Sequence, residues 1–294
     1  MLNTQKLPFL RRMIQHRLSG RRAACPHCGG VRLRRMARKR LVLEVYECSA
    51  CLLLFRWPME TEEEFHRFYQ AEYREGAITE LPSAQRLVEL RSGGFAKTTL
   101  DLSAKIALLK ILMPAGRVLD YGCSWGYGVF QLRAAGYDAS GFEISHVRAE
   151  FARSWARGAI LEGPAELDRL PAGSLNVVFT NHVVEHLRGL RPAFDLFARL
   201  LRPGGLLFCV LPNFSGREAR NGRFLNWIGE AHPIAPTRDF FLRNLAAHGF
   251  EGTQAFSGPF TESVARSVAA GQYEGLDREG EELLVLGRKA AGQK

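Results

Sequence analysis

Long apolar runs are missing from this 294-residue chain. None is long enough to cross a bilayer as a helix. Lys6, Pro8 and the pair Arg11-Arg12 stand where a secretory signal would carry its apolar core, so a cytoplasmic protein is expected. Internal repeats and low-complexity tracts are absent too. With 46% hydrophobic and 24% charged residues, the composition excludes a disordered tail or a collagen-like chain. Six cysteines are too few for a disulfide-stapled mini-protein. Acidic residues are scarce at one end only. Residues 1–60 hold three Asp/Glu against thirteen Lys/Arg, whereas residues 61–294 hold twenty-seven of each. The basic excess of +10 thus sits in the first fifth of the chain. Such asymmetry fits a separate N-terminal module with an anionic partner, or a solvated basic surface that only aids solubility.

Four cysteines form two knuckles, Cys25-Pro26-His27-Cys28 and Cys48-Ser49-Ala50-Cys51, with nineteen residues between them. Each C-x-x-C turns two thiolates onto one point, and two such knuckles complete a tetrahedral site. Cys25, Cys28, Cys48 and Cys51 are therefore the expected ligands of a structural zinc. Between them, Leu41–Tyr46 reads as the return strand of a hairpin and Arg34–Arg40 as its basic turn. Cys123 and Cys209 stand in apolar segments and read as core. A helix is expected over Met59–Tyr73, with Thr61 as N-cap and three glutamates in its first turn. Its stripe Phe65, Phe68, Tyr69 and Tyr73 reads as core or docking surface.

From Arg117 onward, strand and helix patterns alternate with short turns, which implies a parallel doubly wound α/β sheet. The expected division is a basic ribbon over 1–58, a helical linker or cap over 59–113, and an α/β domain over 114–294. The first strand ends Val118-Leu119-Asp120-Tyr121-Gly122-Cys123-Ser124-Trp125-Gly126. Small residues there let the backbone approach a ligand at a helix N-terminus. Glu143 ends the second strand 23 residues after Asp120, where an acid can hold a ribose diol.

These residues resemble the class I S-adenosylmethionine-dependent methyltransferases, over 117–212 and more loosely to 289. The match lies in V-L-D-x-G-C-x-x-G, the acid Glu143, the exit Asn181-His182-Val183-Val184-Glu185-His186-Leu187, the turn Leu200–Gly205, and His232–Phe250. The resemblance implies a Rossmann-like seven-stranded sheet that ends in an antiparallel hairpin at its edge. It also implies S-adenosyl-L-methionine bound by Asp120, Gly122, Ser124, Gly126, Glu143 and Asn181, with Ala165 and Glu166 near the adenine. Ser124 replaces a usual glycine, Pro164 a usual acid, and Asn176 the common Asp of the fourth strand. The cysteine knuckles followed by an aromatic run and an acidic helix start resemble a subset with an N-terminal zinc ribbon. That subset commonly acts on surface polysaccharides, sugars or natural products.

His182-x-x-Glu185-His186 also spells an inverted zinc-protease motif, but it follows a strand directly, at a site the resemblance already explains. Some quinone-pathway O-methyltransferases hold a divalent metal near this turn; here Glu185 and His186 are expected to cap and pack the helix. The resemblance places His182 beside the methyl to be transferred, which makes it the first candidate base, with His232 second. Arg217, Arg220 and Arg223, with Phe224 and Trp227, belong to a segment that can cover a substrate.

A small-molecule, sugar or glycan acceptor is expected. An RNA methyltransferase anchored by the basic ribbon is the alternative, although no N-P-P-Y motif stands at Asn181. A non-catalytic cofactor-binding protein is a further one. The stripe Leu7, Leu10, Ile14 and Leu18 beside Arg11, Arg12 and Arg17 suits weak contact with a polyanion or an anionic membrane surface.

Overall fold

The structure, a computed structural model, describes residues 7–39, 41–72, 80–217, 221 and 227–291. Tyr73, Arg40, Arg220, Arg223 and Phe224 lie outside the described residues.

Seven strands form the main sheet: β4 (Arg117–Tyr121), β5 (Asp138–Phe142), β6 (Ile160–Leu161), β7 (Leu175–Asn181), β8 (Leu201–Pro212), β10 (Phe250–Ser257) and β11 (Glu282–Lys289). Their order is β10-β11-β8-β7-β4-β5-β6. β4 to β8 run parallel, and β11 enters antiparallel between β8 and the edge strand β10. This is the expected Rossmann-like sheet with its terminal antiparallel pair. Val118, Val177, Val178, Phe179 and the run Leu206–Leu211 are buried, as suits strands covered on both faces. The expected turn Pro203-Gly204-Gly205 lies inside β8 as a bulge, because the register jumps from Leu175 opposite Leu201 to Val177 opposite Leu206. Helices α4 (Ser103–Leu112), α5 (Tyr127–Ala134), α6 (His146–Trp155), α7 (Pro164–Asp168), α8 (Arg191–Leu200), α9 (Arg238–Asn244) and α10 (Glu262–Ala269) flank it.

A second, four-stranded sheet has the order β1-β2-β3-β9. Its members are β1 (Leu33–Lys39), β2 (Leu43–Cys48), β3 (Leu54–Trp57) and β9 (Ile234–Ala235). The structure corrects the hairpin: Arg34–Lys39 are strand, not turn, with six residues of β1 paired to β2. A solvated edge strand tolerates basic side chains as well as a turn does, so composition alone could not separate the two. Glutamates opposite make the pairing favourable, since Arg34 bonds Glu47 and Arg35 reaches Glu44 at 3.2 Å. β9 comes from the far end of the sequence and completes this sheet by pairing with β3.

The ribbon's core merges with one face of the main sheet. Cys25, Leu53 and Phe55 share a cluster with Phe194 of α8 and Phe240 of α9. Asn244 donates to the Cys51 carbonyl at 2.8 Å, and Arg191 to the His27 carbonyl at 3.2 Å. Arg56 is fully buried, ion-paired to Glu60, and donates to the carbonyls of Gly229 and Pro58. Such a charge survives burial only when paired and hydrogen-bonded, and here its partners tie the ribbon to the segment before β9.

Helix α1 (Leu7–Leu18) packs Phe9, Leu10 and Met13 against Leu43. Helix α2 (Glu62–Arg67) starts at Thr61 with a capping box, Thr61 accepting from the Glu64 amide and Glu64 from the Thr61 amide. It continues as a π-turn over Phe68–Glu72. After it comes α3 (Ala84–Ser92), capped by Ser83. Gln70 in the π-turn bonds the Ile144 carbonyl and the His146 amide, which clamps this segment over the end of β5.

Candidate active site

Because β4, β5 and β7 are parallel, their C-terminal ends open on one edge, where ligands bind in such sheets. A cavity of ≈ 680 Å³ lies there, within the range of a small-molecule site. Gly122, Ser124, Glu143, Asn181, His182 and His232 line it. Phe65 and Tyr69 line it as well, which corrects the reading of their stripe as core or docking surface only. Phe65 sits in α2 and Tyr69 in the π-turn that follows it, and their two rings form part of the cavity wall.

The turn after β4 is built around Glu143. One carboxylate oxygen accepts the Ser124 amide at 2.9 Å and the other accepts the Ser145 amide at 2.8 Å. Burial raises its pKa, and those amide bonds together with the Arg148 charge act against the rise. Gly122 and Ser124 both have left-handed backbone, at φ 82° and 50°. That is why a glycine suits position 124 and why serine, small but with a Cβ, is a strained substitute. The buried Ser124 hydroxyl has no hydrogen-bond partner among the described residues, a vacancy a polar ligand would fill.

The other expected cofactor residues stand apart from the cavity wall. Asp120 is buried and packs its carboxylate where a side chain on Gly128 would be. Its pKa rises to about 7, through burial and then through Glu143. Gly126 caps α5 at φ 89° and faces Ala152 and Ala156, so its smallness serves helix packing. Ala165 is exposed, and Glu166 folds back to accept the Glu162 amide at 2.6 Å; their neighbours Pro164 and Leu167 line the cavity instead.

On the opposite wall, the exit of β7 turns sharply at His182, whose φ is 56°. His182 Nε2 meets Glu282 at 2.7 Å, and its Nδ1 stands 3.5 Å from Glu185. Burial alone would lower the His182 pKa, but the bonds to Glu185 and Glu282 outweigh it and raise it to about 9. In this arrangement His182 bridges the two carboxylates, Glu185 and Glu282, at the exit of β7. Glu282, also bonded by Lys105 at 2.7 Å, is held down at about 2 despite its burial. Lys105 also donates to Asn181 at 2.9 Å. The sequence reading missed Lys105 and Glu282, because they lie on α4 and β11 with no local motif; only sheet topology brings β11 beside β8.

Glu185 and His186 do not cap a helix, which corrects that expectation. They form a 3-10 turn (Val184–His186) whose Glu185 is fully buried. Apart from the 3.5 Å ion pair with His182 Nδ1, neither Glu185 oxygen accepts a hydrogen bond among the described residues. Ligating atoms of Glu185, His186 and His232 lie within 4.8 Å of one another. Nδ1 of His186 faces the Ala231 carbonyl and Nδ1 of His232 the Trp227 carbonyl, each at 2.9 Å. A carbonyl only accepts, so each Nδ1 carries the proton and each Nε2 is left as the acceptor. Burial keeps His186 neutral, with its pKa lowered to about 4. Two imidazoles in this tautomer beside a carboxylate are a donor set suited to a divalent cation.

In the ribbon, Cys25 and Cys51 sulfurs are 3.4 Å apart and those of Cys28 and Cys48 are 3.5 Å apart. All four lie within 4.8 Å of one another. Tetrahedral Zn–S bonds of ~2.3 Å require edges of roughly 3.8 Å, so the thiols fit that ion. Both knuckles close alike, with the Gly29 amide on the Cys25 carbonyl and the Leu52 amide on the Cys48 carbonyl, each at 2.8 Å.

A methyltransferase-domain family model matches residues 91–255, more than half of the chain. The chain belongs to this methyltransferase family. It is 38% identical over 105 residues to a probable S-adenosylmethionine-dependent methyltransferase of Mycolicibacterium smegmatis, across 34% of this chain and 39% of that protein. A similar protein of Mycobacterium tuberculosis is 37% identical over 103 residues, or 33% and 35% of the two chains. The chain thus matches under half the length of these curated relatives. A SAM-dependent methyltransferase from Archaeoglobus fulgidus shares the fold, with a TM-score of 0.50 at 17% identity over 70% of this chain and all of that one. Among the described residues, no helix is long and apolar enough to cross a membrane.

Proposed function

We propose that the chain is an S-adenosylmethionine-dependent O-methyltransferase of small-molecule, sugar or glycan acceptors, with a zinc ion held by Cys25, Cys28, Cys48 and Cys51. One observation carries the reading: a single cavity is lined on one wall by Glu143 and Ser124 and on the other by Glu185, His186 and His232. The first wall suits the cofactor. Glu143 would hold the ribose hydroxyls while its amide bonds keep it in place, and the Ser124 hydroxyl would meet a polar atom of the ligand.

Methyl transfer from a sulfonium is an in-line displacement: the acceptor oxygen bonds the methyl carbon as the carbon–sulfur bond breaks and sulfur keeps the electron pair. The protein aligns the two and excludes water. Phe65, Tyr69 and Tyr121 supply apolar walls for that purpose. A hydroxyl must also lose its proton. A divalent cation held by Glu185, His186 and His232 would lower the pKa of an acceptor hydroxyl beside it. In this reading His232 is a ligand rather than a base, and His182 orients Glu185. The RNA alternative loses support, because Arg34 and Arg35 are engaged by Glu47 and Glu44 within the ribbon. A non-catalytic role leaves the buried Glu185 group without a purpose.

Calorimetry with S-adenosylhomocysteine tests the first wall. One site is expected, weakened about tenfold or more in Glu143→Ala through lost hydrogen bonds to a charged group. Equal affinity in the variant would overturn the placement of the cofactor. Labelled cofactor incubated with cell-extract fractions then identifies the acceptor.

A further inference from the structure

Exposed large hydrophobic side chains are concentrated in one stretch of the chain. Of the eleven among the described residues, six lie between residues 7 and 41: Leu7, Ile14, Leu18, Val31, Met36 and Leu41. The helix α1 needs only part of its apolar surface for packing, since Phe9, Leu10 and Met13 face inward. Leu7, Ile14 and Leu18 recur at i, i+7 and i+11 and fall within a narrow arc on the solvent side. Arg11 stands in the same arc. Arg17 donates to the Val42 carbonyl at 3.2 Å, which brings the end of α1 against the β1–β2 turn. There Leu18 and Leu41, 80% and 76% exposed, come from chain neighbours of that bond. Leu41 holds a left-handed backbone, φ 60°, at a position where Asn or Gly would be unstrained. Folding therefore gives no reason for a leucine there.

Unpaired charge flanks these residues in the chain. Arg11, Arg21 and Arg22 are exposed and have no side-chain hydrogen bond or ion pair among the described residues, unlike Arg12, Arg17, Arg34 and Arg35. Exposed aliphatic side chains close in the chain to unpaired arginines fit an interface where acyl chains lie beneath negative headgroups. A single nucleic-acid strand would call for aromatic stacking surfaces, and none of the eleven exposed large hydrophobics is aromatic.

We propose that the outer face of α1, with the β1–β2 tip at Leu41, docks this methyltransferase on the surface of an anionic lipid bilayer. The docking is peripheral and reversible, through shallow insertion of Ile14, Leu18 and Leu41 and attraction of Arg11, Arg21 and Arg22 to headgroups.

Vesicle flotation of the full chain tests it, with phosphatidylcholine alone or mixed equally with phosphatidylglycerol. Binding to the mixed vesicles at roughly 0.1 M salt, and at least about tenfold weaker binding to the neutral ones, is expected. Replacing Ile14, Leu18 and Leu41 by Gln should weaken partition about tenfold or more. Far-UV circular dichroism and S-adenosylhomocysteine affinity should stay unchanged, because these side chains are exposed. The Arg11→Gln, Arg21→Gln, Arg22→Gln variant provides a second reading and should abolish the preference for phosphatidylglycerol. The proposal is overturned by no flotation with mixed vesicles, by equal flotation of the aliphatic variant, or by RNA binding that displaces the vesicles and ignores the three aliphatic residues. Because the cofactor titration is independent, failure here leaves the enzymatic reading intact.

Discussion

Two candidate metal groups lie in one chain, and they are built in opposite ways. The cysteine quartet comes from two short knuckles joined by a hairpin, and each knuckle presets its pair of thiols through its own backbone bonds. The Glu185–His186–His232 group joins a 3-10 turn after β7 to a segment some forty residues later, and its third member is positioned by β9 pairing to the ribbon. The first group has a pattern in the sequence because its geometry is local. The second shows only its Glu185-His186 part as a local motif, because its third member depends on a strand contributed across the fold. The ribbon thereby finishes the cavity wall: β9 on its sheet edge carries the segment that holds His232.

The largest effect should come from breaking the local group. Cys25→Ser or Cys48→Ser should lose about one zinc per chain by elemental analysis and destabilise the chain by several kcal/mol, on the order of what such sites contribute. Because β9 and Arg56 tie the ribbon to the cavity, these variants should also weaken S-adenosylhomocysteine binding. Zinc-free protein of unchanged melting temperature would mean that the thiols are only core.

The tertiary group should give a smaller, more selective effect. Manganese titration followed by electron paramagnetic resonance should show one site that Glu185→Gln removes, with ribbon zinc retained. Methyl transfer should fall about tenfold or more on chelation and return with manganese. Glu185→Gln also breaks the buried pair with His182, whose charge helps hold the Glu185 carboxyl below its usual range, so thermal stability should fall. Manganese binding that survives this variant would show that the three residues are not the ligands.

The smallest expected effect is a slope in stability against pH. His182 is raised to about 9 in the fold, so its contribution is fully present below about 6.5, the unperturbed imidazole value, and is lost as pH rises through about 9. Glu282, lowered to about 2, contributes above about 4.5 and is lost as pH falls toward about 2. His182→Gln should therefore flatten the alkaline loss, read as urea midpoints between pH 7 and about 9. An unchanged slope would mean that His182 is not held between the two carboxylates.

Legibility followed the same division. Alternating apolar segments with short turns were enough for a parallel doubly wound sheet over β4 to β8, since each is a local periodicity; the strand order came only with the structure. Thr61, its three following glutamates and the Glu143 end of β5 were legible for similar reasons. Arg34–Lys39 misled because an exposed edge strand and a basic turn have the same composition. Phe65 and Tyr69 misled because a stripe at helical spacing does not say what it faces. Glu166 was expected near the adenine, yet its carboxylate found the nearer Glu162 amide.

By itself, then, the sequence determined what backbone chemistry makes local: two thiol knuckles, a turn of small residues after the first strand, an acid after the second strand, and the basic excess of the first sixty residues. Tertiary structure alone decided which charges meet. Lys105, His182, Glu185 and Glu282 come from α4, the turn after β7 and the antiparallel strand β11, and His232 arrives through β9. Their protonation states follow from burial and from partners up to 177 residues apart in the chain. A pKa depends on the charges and dielectric around a group, and neither exists until the sheet has closed.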